Sequence, residues 1–181
     1  MRRIVYYVAT SVDGYISGPE GDISGFEYAG ESTGVKKYFE DLQNFDTVIM
    51  GRNTYEAGYQ YGLKPGGLGY PHMNHYIFSD SLKLEEADER LKICPVDIEI
   101  VKDLKQMPGK DIYLCGGGQF AGWLLDHKLI DVLTIKLNPI VLGTGIPLFG
   151  KKVPQYKLGL AGDASFTHGL KILTYNIIYE L

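Results

Sequence analysis

The stretch Val48-Ile49-Met50-Gly51-Arg52-Asn53-Thr54 predicts a buried strand that ends at a glycine and leads into the start of a helix. Free backbone N–H groups at a helix start, together with the positive end of the helix dipole, attract phosphate. Arg52 adds a rigid fork of donors that suits a phosphate monoester, and Thr54 adds a hydroxyl. The segment is equally typical of a glycine turn with a surface arginine and a capping threonine.

A second strand-to-glycine turn follows in the stretch Ile112-Tyr113-Leu114-Cys115-Gly116-Gly117-Gly118-Gln119-Phe120. Three residues without a Cβ let a pyrophosphate approach the backbone and lie on the helix that follows. The spacing is not the GxGxxG fingerprint, so a plain tight turn explains it equally well. Ligands of open α/β sheets bind at the carboxyl ends of strands, and both turns are expected at that edge.

Two further segments carry polar groups after predicted strands. Ser79-Asp80-Ser81 follows one strand and Lys102 follows another, so hydroxyls and a lysine near Arg52 would suit a 2′-phosphate. Taken separately, a turn and a solvated lysine are the simpler interpretation. Asp13, before Gly14, is a candidate catalytic carboxylate, but a carboxylate that accepts hydrogen bonds from its own turn is the commoner use.

Composition limits the function classes. The chain has 181 residues, 45% of them hydrophobic, and a formal net charge of -4, which predicts one soluble domain over residues 1–181 without a broad surface for nucleic acid or anionic membrane. Residues 4–12 are too short and too polar for a signal peptide, and no apolar run reaches membrane-spanning length. The two cysteines fit a reducing cytoplasm. No metal-ligand spacing links the cysteines with the four histidines, and no hydrolase or phosphotransferase motif is present.

The pattern of elements predicts an α/β fold with a mainly parallel sheet, flanking helices and an antiparallel C-terminal edge. The predicted strands are 4–10, 46–50, 75–78, 97–101, 111–115 and 131–138, followed by an antiparallel pair at 156–165 and 170–179. The predicted helices are 33–44, 52–57 and 118–126. The first of them places Val35, Tyr38, Phe39 and Leu42 on one apolar face, and residues 58–71 and 140–149 are predicted loops.

Four motifs in this order resemble the dihydrofolate reductase-like superfamily, and within it the riboflavin-biosynthesis reductase (RibD C-terminal) domain and its short stand-alone relatives. They are Ala9-x-Ser11-x-Asp13-Gly14-Tyr15-Ile16, Val48-Ile49-Met50-Gly51-Arg52-x-Thr54-Tyr55-Glu56, Gly116-Gly117-Gly118, and Asn138-Pro139-x-Val141-Leu142-Gly143-x-Gly145-x-Pro147-Leu148-Phe149. The likeness covers nearly the whole chain.

The resemblance implies NADPH as the cofactor. It assigns the adenosine phosphates to Gly51, Arg52, Asn53 and Thr54, the 2′-phosphate to Ser79 and Lys102, the pyrophosphate and nicotinamide turn to Gly116, Gly117, Gly118 and Phe120, and the flanks of the nicotinamide to Ala9 and Ile16.

The chain also departs from the family pattern. The position that carries the proton-supplying carboxylate of folate-type enzymes falls at or near Val35, and valine can neither protonate a substrate nor grip a pterin ring. The expected function is therefore NADPH-dependent reduction of a small heterocycle, resembling 5-amino-6-(5-phosphoribosylamino)uracil reductase. Dihydrofolate or pterin reduction, and non-catalytic NADP binding, are the alternatives.

The substrate pocket is expected between the 33–44 helix, the Gly116 turn and the first strand. Its predicted lining is Val35, Phe39, Cys115 and Thr134, and simple helix packing is the alternative for Val35 and Phe39. Candidate proton donors are Tyr28, Glu31 and a bound water, with Asp13 a weaker one. The glycine-rich segment 58–69, with Tyr59, Tyr61 and Tyr70, is interpreted as a lid, a homodimer contact or an ordinary loop.

Overall fold

The computed structural model describes residues 1–26 and 32–179. The strands are β1 (Ile4–Thr10), β2 (Tyr15–Ser17), β3 (Phe45–Gly51), β4 (Asn74–Phe78), β5 (Leu91–Cys94), β6 (Asp111–Gly116), β7 (Val132–Leu137), β8 (Ile146–Pro147), β9 (Lys157–Ser165) and β10 (Lys171–Ile178). The helices are α1 (Thr33–Leu42), α2 (Arg52–Ala57), α3 (Ile98–Gln106) and α4 (Gly118–Asp126), with 3₁₀ turns at Pro19–Gly21, Gly58–Tyr61 and Thr167–Gly169.

Within those residues, eight strands form one sheet in the order β5-β4-β3-β6-β1-β7-β10-β9. The pairs from β5 to β7 are parallel, whereas β10 is antiparallel to both β7 and β9. The predicted α/β fold with an antiparallel C-terminal edge is therefore confirmed. Since β1, β3, β4 and β6 are parallel, their carboxyl ends meet at one edge of the sheet.

Helices cover both faces of the sheet, which explains why strands such as β1 are apolar runs without alternation. One face packs on α3 and α4 through residues such as Leu104 and Leu124. The other packs on α1 and α2 through Leu42 and Tyr55.

The predicted strand at 97–101 is wrong, because these residues begin α3. The Asp97 side chain accepts a hydrogen bond from the Glu99 backbone N–H at 2.9 Å and so caps the helix. Val101 and Leu104 are buried three residues apart, as a helix requires. The β-branched residues at 98–101 imitate a strand over this short window, where periodicity cannot separate the two structures.

Three shorter differences concern segments next to turns. β5, at Leu91–Cys94, is not among the predicted strands, and it is an edge strand with two exposed positions. β8, within the predicted loop 140–149, pairs with β2. The helix predicted at 33–44 ends at Leu42. Among the described residues, no helix has the length and apolar content needed to span a membrane.

Candidate functional site

The two glycine turns adjoin at the carboxyl edge. β3 and β6 are neighbours, with Met50 opposite Gly116. A Cβ built on Gly116 would lie 3.6 Å from the Thr54 Oγ1, and one built on Gly117 only 2.9 Å from it. The peptide bond between Gly116 and Gly117 is cis. The expectation that both turns lie together is confirmed, and the Thr54 hydroxyl marks their contact.

We refer to the junction of the turns at 51–54 and 116–118 as the glycine corner. This corner is open to solvent. Gly51, Arg52, Thr54 and Gly117 are half-buried, and Asn53 is exposed. Gly51 and Gly117 are the N-terminal caps of α2 and α4, and neither helix start receives a hydrogen bond from a capping side chain. Their first N–H groups can therefore donate to an anion that approaches along the glycine backbone.

Arg52 connects this corner to the turn that follows β4. Its Nε donates to Glu56 Oε2 at 2.9 Å, and its Nη1 donates to Ser81 Oγ at 2.9 Å. The Ser79 Oγ accepts hydrogen bonds from the backbone N–H groups of Ser81 and Leu82, which fixes that turn. Within residues 1–26 and 32–179 the guanidinium has no other hydrogen-bond partner, so its Nη2 donors remain for an acceptor such as phosphate.

Lys102 makes its ion pair within its own helix. It lies within α3 and not at the end of a strand, and its Nζ donates to Glu99 Oε1 of the same helix at 2.6 Å. The premise that Lys102 follows a strand beside Arg52 is wrong, because the helix begins at Ile98. Ser81 is the residue that the structure brings to Arg52 instead.

Phe120 packs in the core below the two glycine turns. Its side chain is buried, and its ring stacks on Phe78 with centroids 5.0 Å apart. A Cβ on Gly51 would lie 3.4 Å from the Phe120 Cβ, so Phe120 packs directly beneath the glycine turn. The structure thus gives Phe120 a packing role, with its ring in the core.

Ala9 and Ile16 both lie near the same edge. Ala9 is in the last part of β1, opposite Lys136 of β7, and Ile16 is in β2. Both residues are half-buried. Their assignment to the flanks of a nicotinamide stays a prediction that their position permits.

The Asp13 carboxylate ties two loops together. It accepts hydrogen bonds from the backbone N–H groups of Leu142 and Gly143 at 3.1 and 2.7 Å. A hydrogen bond from the Ser11 side chain, followed by these backbone bonds, lowers the pKa of Asp13 to about 2. Asp13 is therefore ionised at neutral pH and holds the turn by accepting hydrogen bonds. This agrees with the interpretation of Asp13 as a structural carboxylate and not with a role as proton donor.

Close backbone approaches hold the motif at 138–149 against its neighbours and explain the glycine at position 145. A Cβ on Gly145 would lie 2.0 Å from the Ser17 carbonyl oxygen, and one on Gly118 would lie 2.2 Å from that of Pro147. The Leu148 N–H also donates to the Gly14 carbonyl at 3.0 Å. The loop is thus held between the β1–β2 turn and the start of α4, where it borders the glycine corner.

Of the four predicted substrate-lining residues, three lie on the side of the sheet that α1 covers and one is exposed. Thr134 is paired with Tyr7 on the sheet face that α1 covers, and Cys115 follows Tyr113 by two residues on that same face. Val35 is buried in the first turn of α1. Phe39 is 51% exposed and therefore does not share the buried side of α1 with Val35, and its assignment to the substrate pocket stays a prediction.

Three tyrosines and one cysteine that meet beneath α1 were not recognised as a group from the sequence. The Tyr38 and Tyr113 hydroxyls are 2.7 Å apart, and the Tyr70 hydroxyl lies 3.5 Å from that of Tyr113 and 3.4 Å from the Cys115 Sγ. We refer to Tyr38, Tyr70, Tyr113 and Cys115 as the tyrosine–cysteine cluster. Burial raises the pKa of all four groups, so all are protonated at neutral pH. Tyr113 and Cys115 lie two residues apart on one strand, and this spacing was the one sequence signal that could have indicated the group.

His75 and Lys136 border this cluster. The buried His75 ring stacks on Tyr70, its Nε2 accepts the Tyr70 backbone N–H at 3.2 Å, and its Nδ1 donates to the Met73 carbonyl at 3.1 Å. This pattern requires a neutral ring, and burial lowers the pKa of His75. The Lys136 Nζ lies 5.8 Å from the centroid of the Tyr38 ring.

Two of the proton-donor candidates, Tyr28 and Glu31, lie outside the described residues. Among the residues that are described, no three His, Cys, Asp or Glu side chains converge on a metal position. A groove of about 500 Å³ lies along α4, lined by residues that include Trp123, Asp126 and Lys151. Its lining contains none of the predicted cofactor or substrate residues.

Comparison with known proteins gives the relationships of the chain. The uncharacterized protein YwjB of Bacillus subtilis is 33% identical over 174 residues, which cover 94% of this chain and 96% of that protein. The crystal structure of a Shewanella sp. PV-4 protein has a TM-score of 0.80 at 24% identity, and the match covers 98% of this chain and 99% of that one.

Two enzymes share the fold at lower identity. The deaminase/5-amino-6-(5-phosphoribosylamino)uracil reductase of Thermotoga maritima has a TM-score of 0.70 at 16% identity, with coverage of 98% of this chain and 57% of that one. Dihydrofolate reductase from Enterococcus faecalis, solved with NADP(H), has a TM-score of 0.66 at 12% identity over 97% and 96% of the chains. The dihydrofolate reductase-like fold is therefore confirmed. Residues 2–172 match the RibD C-terminal domain, and the chain belongs to that family.

Proposed function

We propose that this protein is an NADPH-dependent reductase of a small conjugated heterocycle of the pyrimidine type. The observation that carries this proposal is the junction of the two glycine turns at Thr54, next to the Arg52–Ser81 hydrogen bond. One dinucleotide spans a phosphorylated adenosine, a pyrophosphate and a nicotinamide. The adjoining turns offer backbone donors and a cation over one continuous edge.

The residues present fit such a cofactor. A Cβ at position 117 would lie against the Thr54 hydroxyl. Because residue 117 is glycine, its backbone stays accessible at the junction of the two turns. Arg52 and Ser81 would hold the 2′-phosphate, and the starts of α2 and α4 would hold the remaining phosphates. When bound, NADPH would supply a hydride to the substrate. The protein contributes orientation and an apolar floor built around Phe120 and Phe78.

The substrate side favours a pyrimidine over a folate. In folate-type enzymes an acid is expected near position 35, whereas here the buried Val35 side chain offers neither a proton nor a paired hydrogen bond. The solved Thermotoga maritima relative is named as a uracil reductase. Reduction of a ribosylamino-pyrimidine is therefore the reaction class that this chain is proposed to share.

Calorimetric titration with NADPH and with NADH tests the cofactor, and loss of NADPH absorbance with a panel of ribosylamino-pyrimidines tests the reaction. We expect tight binding of NADPH, weaker binding of NADH, and oxidation of NADPH by at least one ribosylamino-pyrimidine that carries ring carbonyls. Absence of NADPH binding would overturn the proposal entirely. Tight binding without turnover on any heterocycle would instead identify a non-catalytic NADP-binding protein.

A further inference from the structure

The tyrosine–cysteine cluster is a connected set of groups that can donate and accept hydrogen bonds. Each of its three tyrosine hydroxyls and its thiol carries one proton. The shortest contact joins Tyr38 to Tyr113 at 2.7 Å, whereas Tyr70 contacts Tyr113 and Cys115 at 3.5 and 3.4 Å. The longer contacts of the cluster therefore all involve Tyr70.

Both hydrogen-bond contacts of the Tyr70 hydroxyl are long or weak. Its hydroxyl oxygen lies 3.5 Å from the Tyr113 oxygen, well beyond the roughly 2.7–2.8 Å typical of hydroxyl pairs. Its other partner is the Cys115 sulfur at 3.4 Å, and sulfur is a weak acceptor. A carbonyl oxygen that reached the Tyr70 hydroxyl would therefore replace poor contacts with a good one.

The cluster lies where a substrate of the proposed function would be bound. Tyr38 comes from α1, Tyr70 from the segment before β4, and Cys115 directly precedes the Gly116 turn. These three residues keep partial exposure to solvent, although burial dominates the environment of their polar groups. Tyr38, Tyr70 and Cys115 can therefore be reached from solvent beside the Gly116 turn.

The ring of Tyr70 is fixed in place. It stacks on His75 with an interplanar angle of 25° and meets Tyr113 edge-on at 5.4 Å between centroids. The backbone N–H of Tyr70 is held by the His75 Nε2. These contacts fix the ring and hence the position of its hydroxyl oxygen, as a specificity-determining group requires.

We propose that the Tyr70 hydroxyl recognises a ring carbonyl of the substrate by donating a hydrogen bond to it, with Tyr113 and Cys115 as its supporting partners. This inference rests on the proposed function, because it takes the pocket beside Gly116 as a heterocycle site. It deepens that function by selecting oxo-pyrimidines over pyrimidines that lack a carbonyl.

The test compares two probes on the full chain saturated with NADP⁺. 5-Aminouracil carries ring carbonyls, and 5-aminopyrimidine does not. We expect wild-type protein to bind 5-aminouracil more tightly, and Tyr70→Phe to weaken that binding about tenfold while leaving 5-aminopyrimidine unchanged. Tyr61→Phe is the matched control, since Tyr61 belongs to the same segment and is 61% exposed.

A second readout does not depend on a substitution. Bound 5-aminouracil should slow alkylation of Cys115 by iodoacetamide, measured by mass spectrometry of the peptides, with the buried Cys94 as internal reference. Equal 5-aminouracil affinity in wild type and Tyr70→Phe would overturn the inference. So would the absence of both binding and Cys115 protection in wild type. NADP⁺ titrated alone reports separately on the cofactor site of the proposed function, because loss of that binding would overturn the proposed function whatever Tyr70 does.

Discussion

At the scale of single residues, Arg52 is the side chain that distinguishes the glycine corner from an ordinary glycine turn. Glu56, one helical turn away, holds its Nε, and Ser81 from another loop holds its Nη1. Both contacts direct the guanidinium toward the turn after β4, where an arginine in solvent would instead sample many rotamers. A 2′-phosphate placed there would gain charge-assisted hydrogen bonds that a free 2′-hydroxyl cannot match.

Replacing Arg52 with alanine should therefore weaken NADPH binding about tenfold and leave NADH binding nearly unchanged. Calorimetric titration with both cofactors measures the difference. Lys102→Ala is the matched control, because Lys102 pairs with Glu99 within α3, and its removal should change neither affinity. Equal losses for NADPH and NADH in Arg52→Ala would contradict the role of Arg52.

His75 predicts a pH dependence of stability. Burial keeps its ring neutral and lowers its pKa in the folded protein, whereas the pKa of a histidine in the unfolded chain is about 6.5. As the pH falls below that value the unfolded state binds the proton first, so the free energy of unfolding decreases until the folded pKa is reached. Urea unfolding at a series of pH values should show a shallower decrease in His75→Gln than in wild type. Identical pH slopes in the two proteins would refute this, and His127→Gln, at an exposed position, is the control.

At the scale of elements, close backbone approaches connect the loop at 138–149 to α4. Gly118 begins the helix, and the position of its missing Cβ is 2.2 Å from the Pro147 carbonyl oxygen and 3.2 Å from the Gly150 nitrogen. No side-chain rotation can relieve a contact with backbone atoms. The start of α4 and the Pro147 turn can only be placed as they are because position 118 is glycine.

Gly118→Ala should accordingly lower the free energy of unfolding by about 1–3 kcal/mol, the usual cost of overpacking. Chemical denaturation measures this loss. Gly69→Ala is the control, because nothing lies within 4 Å of its built Cβ and its backbone is not left-handed. If both variants were equally stable, the close approach would be without energetic consequence.

The elements also show where sequence reasoning succeeds. Both glycine turns were predicted because a strand, a glycine and a helix start are encoded locally, and parallel strands then bring their carboxyl ends together. The helix at 98–106 was missed because its β-branched residues dominate a short window and the Asp97 cap is a single residue. The tyrosine–cysteine cluster could not be predicted, since its members come from a helix, a loop and a strand that only tertiary packing brings together.

At the scale of the whole molecule, the sheet has an apolar outer edge. β9 is the edge strand within the described sheet, and its Leu158 and Leu160, two residues apart, are 45% and 61% exposed. In the glycine-rich segment, by contrast, Tyr59 and Tyr70 pack against the core and leave Tyr61 as the exposed ring. The homodimer expected from the sequence stays a prediction, and we propose the two exposed leucines of β9 as its contact.

Light scattering after gel filtration should therefore give the mass of a dimer for the wild-type chain and of a monomer for Leu160→Lys. Tyr61→Lys should remain dimeric. A monomeric wild type would contradict the homodimer, and a monomer produced by Tyr61→Lys alone would move the contact to the glycine-rich segment.

The central claim is that the turns at 51–54 and 116–118 hold one phosphorylated dinucleotide together, and a crystal structure of the protein with NADP⁺ tests it most directly. We predict the 2′-phosphate on Arg52 and Ser81, the pyrophosphate on the backbone of the two turns, and the nicotinamide beside Ala9 and Gly116. A dinucleotide bound in the groove of Trp123 and Lys151, with the glycine corner left to solvent, would contradict the account.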